Sequence, residues 1–306
     1  MMADSAAEVV PFIEVRDFGP KWPAERARQC CADLERGGIL YFSGIPYELP
    51  QPDIDFLLSY AARDSRFHKN VSYRPAHDML RGFGGDAESA HRTHALMRSY
   101  SRNVTSFVAR LLGPYSAHWS LDFASFRPLE EAGRALSLHK RNDLLHVDAF
   151  PSRPTHGGRI LRVFTNLNPK QPRVWDAGLP FPALAPHYAQ RAGLEDFASA
   201  NASPTWRHVV RALGFPVASR SRYDSFMLHF HDWMKENSDL QKTLPRRHVE
   251  FPPSSTWLVF TDAVPHAVMS GQFALEQTFI VPIEAMVTPE LAPIRVLERL
   301  SGAKLA

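Results

Sequence analysis

The chain has 306 residues, 44% of them hydrophobic and 11% aromatic, ample for a packed core and incompatible with general disorder. A net charge of +3 gives no field strong enough to argue for nucleic-acid binding. No run approaches the roughly 20 apolar residues needed to span a bilayer, the first residues show no leader pattern, and the two cysteines, Cys30 and Cys31, are adjacent and poorly placed for a bridge to each other, so a reducing, cytoplasmic setting is expected.

No internal repeat or low-complexity linker breaks the chain, and one domain over residues 1–306 is expected. Residues 23–36 predict a helix closed by Gly37 and Gly38, followed by a strand from Ile39 to Gly44. Asp53 to Arg63 predicts a second helix. A longer one is expected over 92–113, where Leu96, Tyr100, Val104, Val108 and Leu111 recur at helical spacing and should face a sheet. From Ser116 the period becomes two: Ala117, Trp119, Leu121 and Phe123 alternate with His118, Ser120, Asp122 and Ala124, as in a half-buried strand. Further strands are expected near 143–150, 158–167, 256–261 and 275–283, interrupted by a mostly helical stretch over 182–242 that includes Tyr223 to Gln241. Early helices followed by an antiparallel sheet with a helical insertion predict an α+β fold whose core, about 116–285, is a double-stranded β-helix or jelly-roll.

Within that frame, Leu145-His146-Val147-Asp148 and Pro265-His266 carry the chemistry. An HxD pair alone means little in a chain with 14 His. In an extended segment, however, residues i and i+2 share a face, so His146 and Asp148 can reach one metal. His266 follows 118 residues later, just after the apolar strand candidate Trp257 to Phe260, with Pro265 stiffening the backbone before it. Two imidazoles and one carboxylate form the facial triad of a non-haem Fe(II) oxygenase, which leaves positions open for reactants. His248-Val249-Glu250 has the same spelling but precedes His266 by only 16 residues, too few for the intervening strands of a barrel.

Such an iron needs an electron-donating co-substrate, and 2-oxoglutarate, used with O2, has a distal carboxylate that requires a cation. Many members of the superfamily place Arg or Lys about ten residues after the distal His, where this chain has Glu276, Gln277 and Thr278. The strand after HxD supplies Arg162 instead, on the same face as Asn166 and Asn168 by alternation, with Thr278 as a hydroxyl partner. Arg159 and Arg173 are the reserve anchors. The cations are 28 Arg against 7 Lys, which suits recognition of an anionic substrate, although high GC content in the coding DNA produces the same bias.

The stretches LLHVDAFPSRPTHGGRILRVFTNLNP, RYDSFMLHFHDWMKEN and WLVFTDAVPHAVMSGQFALEQTFIVP resemble the Kdo 3-hydroxylases, with similarity over approximately residues 36–285. Kdo is 3-deoxy-D-manno-oct-2-ulosonic acid. The resemblance implies an Fe(II)- and 2-oxoglutarate-dependent dioxygenase that hydroxylates Kdo at C3, in Kdo-lipid A, during lipopolysaccharide core assembly. It carries the triad over to His146, Asp148 and His266. It further implies ascorbate as a supporting reductant in vitro and peripheral contact with the cytoplasmic face of the inner membrane, and leaves a homo-oligomer open. Arg127, Arg141 and His231 are the expected substrate contacts, with Lys235 beside them. On a helix His229 and His231 diverge, so only one can face the pocket. Asp262 is expected in a turn or beside the ligands. Two rivals stand against this reading: another 2-oxoglutarate hydroxylase acting on a peptide or small metabolite, and a non-catalytic, cupin-like sugar-binding barrel.

Overall fold

The computed structural model describes residues 10–63, 70–199 and 220–306, and its strands fall into two sheets. In chain order the first half contributes β1 (Phe12–Glu14), α1 (Ala24–Glu35), β2 (Ile39–Phe42), α2 (Gln51–Arg63), β3 (Val71–Arg74), β4 (Met79–Arg81), α3 (Ala87–Leu111) and β5 (Ser120–Arg127). The second half contributes β6 (Arg159–Asn166), β7 (Arg173–Gly178), α4 (Phe181–Tyr188), α5 (Leu194–Ser199), α6 (Arg222–Glu236), α7 (Ser238–Thr243), β8 (Arg246–Phe251), β9 (Thr256–Phe260), β10 (His266–Ser270), β11 (Ala274–Val281) and α8 (Pro293–Ser301). The larger sheet runs β1-β2-β9-β6-β11-β5-β3-β4 and the smaller β10-β7-β8, in an α+β arrangement. All pairings are antiparallel except β1 with β2.

Alternation along β6 separates two cores. Leu161 and Val163 join the core that includes Cys31 and Leu34 of α1 and the stripe Leu96, Met97, Tyr100, Val104, Phe107, Val108 and Leu111 of α3. Phe164, one residue out of phase, joins Trp257 of β9 in packing against Trp175, Val249 and Phe251 of the small sheet. Phe251 stacks on Trp257 at 3.8 Å between centroids, and Trp175 meets Trp257 edge-on at 5.6 Å. One face of the large sheet is therefore covered by helices and the other by the small sheet. Even-numbered residues of β6, Arg162 among them, point between the sheets.

The first helix ends where Gly37 takes φ +91°, and a Cβ at that position would lie 2.6 Å from Cβ of Pro180. Gly37→Ala should therefore lower unfolding free energy by more than the ~1 kcal/mol usual for an incompatible backbone, measured by chemical denaturation; an unchanged midpoint would refute the close approach. At the start of α3, Asp86 accepts a hydrogen bond from Ser89 N–H, and the turn after it carries no buried residue until Thr93. That polar turn explains why the apolar stripe places the helix start about five residues late.

Several expectations need correcting. Residues 143–150 form no strand; they make only an isolated bridge, His146 to His266. The strand expected from Ser116 begins at Ser120, after a short 3-10 turn over Gly113–Tyr115. Its phase also flips, since Gln277 pairs with Ala124 while Phe279 pairs with Leu121, leaving one extra residue on β5. Beyond this bulge the buried face is Ala124 and Phe126 instead of the odd-numbered residues. The sheet does not begin at 116, because β2 pairs with β9 and β3 with β5. The helix expected over Tyr223 to Gln241 is broken at Asn237, whose side chain caps α7 through Leu240 N–H. Part of the helical stretch, 200–219, lies outside the described residues. Among the described residues no helix is long and apolar enough to cross a membrane.

Candidate metal centre

Backbone hydrogen bonds bring the HxD segment to the distal histidine. His146 and His266 exchange N–H to carbonyl bonds at 3.2 and 2.9 Å, and Asp148 N–H donates to the Thr261 carbonyl at 2.8 Å. The segment is thus sewn to the first residue of β10 and to the turn that precedes it. One ligand atom from each of His146, Asp148 and His266 lies within 4.8 Å of the other two, and His146 Nε2 is 3.9 Å from an Asp148 oxygen.

Each imidazole is held in the tautomer a metal requires. Nδ1–H of His146 donates to the Leu144 carbonyl at 2.7 Å and that of His266 to the Val264 carbonyl at 3.0 Å, leaving both Nε2 atoms as lone-pair donors. Burial pushes the pKa of both rings down, His146 strongly so with help from His266 and Lys235. They are neutral, as ligands must be. Burial alone would raise the Asp148 carboxyl, yet the Arg162 guanidinium, helped by the Thr261 hydroxyl, holds it well below the usual carboxylate range. Its Oδ2 is buried and accepts no hydrogen bond; Arg162 Nη1 approaches to 3.3 Å as an ion pair only. A buried carboxylate with unused lone pairs beside two free Nε2 atoms fits a divalent metal, and the mixed N,O donor set fits iron. Trp175 stacks on the His266 ring at 5.0 Å and limits its rotation.

The three groups open into a cavity of about 600 Å³ lined by strand residues including Arg127, Arg162, Phe164 and Arg173 and by helix residues including His231 and Lys235. A more open concavity of about 660 Å³ against α8 contains none of the triad. The cavity's strand wall holds a buried charge network. Glu276 of β11 receives Arg127 of β5 at 2.6 Å and lies 3.5 Å from Arg162 of β6, the strands on either side of its own. Burial would raise the Glu276 carboxyl, but Arg127 and Arg162 bring it below its ordinary value. Arg173 bonds the Gly271 carbonyl and approaches Glu131 at 3.5 Å; burial pushes its pKa down to about 10. The position where a cation was sought after the distal His thus holds an anion gripped by cations from both neighbouring strands.

The structure sorts the remaining candidates. Arg162 and Arg127 face the cavity, while Arg159 points to the opposite face of β6, where it is fully buried against Asp262 at 2.7 Å and stacks over Phe260. Asn166 does not serve the cavity: its amide donates to the Gln171 and Phe251 carbonyls and its oxygen accepts from Asn168 N–H, so it fastens the end of β6. Thr278 sits opposite Arg162 in the sheet but is not a lining residue, and its hydroxyl is directed to Glu276 at 3.5 Å. Arg141 pairs with Asp143 through two hydrogen bonds outside the lining, and its neighbours His139 and Lys140 line the cavity instead. His231 reaches the centre, its ring edge-on to His146 at 4.9 Å and its Nδ1–H donating to the Val147 carbonyl, whereas His229 turns to Phe197. His248 is exposed and bonds Asp176, with Val249 between it and Glu250 pointing into the core, so the rival pair faces away from the site. Glu131, and the place of Glu276 between two arginines, escaped the sequence reading, since pairing across strands gives no periodic signal.

The family model for 3-deoxy-D-manno-oct-2-ulosonic acid (Kdo) hydroxylase matches residues 18–304. Among solved structures, that of the Kdo hydroxylase KdoO, a non-heme Fe(II) alphaketoglutarate dependent dioxygenase, in complex with alphaketoglutarate and Fe(III) is similar at 35% identity and TM-score 0.85, covering 97% of each chain. The apo and cobalt(II) structures of that hydroxylase each match at 36% identity and TM-score 0.84, covering 96% of this chain and 97% of the other. No match was found among curated protein sequences. A family match over nearly the whole chain, together with two imidazoles and a carboxylate aimed into one cavity, leads to a single assignment: this chain belongs to the Kdo hydroxylase family.

Proposed function

We propose that this protein is an Fe(II)- and 2-oxoglutarate-dependent dioxygenase that places a hydroxyl at C3 of Kdo, with Kdo-lipid A as its substrate at the cytoplasmic face of the inner membrane. The observation that carries the reading is the convergence of His146, Asp148 and His266 on a cavity whose strand wall is lined by arginines. His146, Asp148 and His266 would hold the iron, which when bound supplies O2-dependent oxidation coupled to conversion of 2-oxoglutarate to succinate and carbon dioxide. The chain's own residues bind, orient and exclude water. The two packed sheets are read as the halves of a double-stranded β-helix within one domain, with the triad at its mouth.

Arg162 is the proposed partner of the distal 2-oxoglutarate carboxylate, with Arg127 across Glu276 as the second arm. Both reach the cavity, and Arg162 Nε is buried with no hydrogen-bond partner. Arg162→Ala should raise the apparent 2-oxoglutarate requirement about ten- to hundredfold, the worth of a lost charge-assisted contact of roughly 1.5–3 kcal/mol. Arg162→Lys should recover part of the loss, because a point charge replaces a planar fork. An unchanged requirement in Arg162→Ala, with the defect appearing in Arg173→Ala, would move the anchor to Arg173.

The activity itself is tested by incubating the protein with Fe(II), ascorbate, 2-oxoglutarate and Kdo-lipid A. A product heavier by one oxygen atom, formed with stoichiometric succinate, is expected. Succinate formation stimulated by a different acceptor would favour another hydroxylase, and binding of Kdo without O2 consumption would favour a sugar-binding barrel.

A further inference from the structure

The cavity has a second cationic pole, on its helical wall. Leu228, His231, Asp232 and Lys235 form one stripe of α6, and all four line the cavity. Lys235 is only 4% exposed. Its Nζ donates to the His139 carbonyl at 2.9 Å, using one of three N–H groups, and among the described residues no carboxylate lies within ion-pairing distance of it. Buried ammonium groups without an anion are costly and uncommon. The strand-wall arginines differ in this respect, since Asp148, Glu276 and Glu131 already stand beside them. His231, one turn before Lys235, spends Nδ1–H on the Val147 carbonyl, so Nε2 of its ring carries a lone pair and offers an anion no proton.

We propose that Lys235 forms a subsite for the carboxylate of the sugar-acid substrate, separate from the arginine cluster that takes the diacid co-substrate. The inference rests on the hydroxylase reading above and assigns the substrate's own charge to one wall of the cavity. Two anions can then occupy the cavity together, each with its own cation, on different chemical footings: planar guanidinium forks for one, an ammonium for the other. Burial lowers the Lys235 pKa to about 8, a value at which the group is still mostly charged at neutral pH.

A purely structural role for Lys235 must be separated from this one. The bond to His139 helps strap the 138–140 turn to α6, a turn also held by His139 Nε2 to Glu236 at 2.7 Å. Lys235→Gln keeps a donor for that carbonyl and removes the charge; Lys235→Arg keeps the charge. The experiment compares a Kdo glycoside bearing a free carboxylate with its methyl ester, at saturating Fe(II) and 2-oxoglutarate, on the wild-type protein and both variants. On the free acid, Lys235→Gln should lose about ten- to hundredfold in kcat/KM, carried by KM, with the 2-oxoglutarate requirement unchanged. The wild-type protein should lose a similar factor on passing from acid to ester, and Lys235→Gln should lose nothing further. Lys235→Arg should restore part of the activity on the acid. Wild-type behaviour of Lys235→Gln, equal losses on acid and ester, or a shift in the 2-oxoglutarate requirement would each overturn the subsite while leaving the hydroxylase reading intact. A wild-type protein that oxidises neither sugar would instead overturn the hydroxylase reading and the subsite with it.

Discussion

Turnover should fall by more than about a hundredfold in His146→Ala, Asp148→Ala and His266→Ala, with the protein still folded. Changing even an outer partner of a metal ligand costs about 10- to 100-fold in affinity or activity, and removing a ligand costs more. These side chains line a cavity instead of filling a core, so circular dichroism and the denaturation midpoint should move little. Stoichiometric iron binding should fail in the same three variants. His248→Ala should keep full activity, because that ring is exposed on the outer face of β8 with Asp176 as its partner. An inactive His248→Ala alongside an iron-binding His266→Ala would reverse the assignment of the distal ligand.

The second large effect is on stability, at Arg159 and Asp262. Both side chains are buried, their contact is 2.7 Å, and Arg159 Nη2 and Asp262 Oδ1 have no hydrogen-bond partner. Burial pushes the Asp262 carboxyl up even with Arg159 beside it. Removing one partner leaves an uncompensated charge in the core, so Arg159→Met should cost about 3–5 kcal/mol of unfolding free energy. Combining it with Asp262→Leu should recover most of that loss, since apolar replacement of a whole buried pair is often neutral. The pair also braces the turn whose Thr261 carbonyl accepts Asp148 N–H, so Arg159→Met should weaken iron binding as well. Denaturant titration of the two single variants and the double variant measures the coupling; additive losses would show that the pair acts as two independent groups.

The triad was legible because its chemistry is local in form. HxD spelling on an extended segment puts two ligands on one side, and the search for a third needs only a histidine after a distant apolar strand. That logic holds even though 143–150 is not a strand, since side-chain direction depends on an extended backbone and not on ladder pairing. The same alternation separated Arg162 from Arg159, and α3 announced itself through an uninterrupted apolar stripe. The short strands β7, β8 and β10 went unread: six residues or fewer carry too little periodicity.

By itself the sequence determined the features that local periodicity and ligand type can set: the α+β class, the main helices, and the three side chains suited to iron. Tertiary structure decided everything that depends on neighbours distant along the chain. The bulge in β5 flipped which residues are buried, Asn166 was spent on the Phe251 carbonyl, and Glu276 was placed between Arg127 and Arg162. A charged or amide side chain carries no mark of its partner in its own segment. Which partner it meets is set by strand order and register, and in this protein those place β5, β11 and β6 side by side over the cavity.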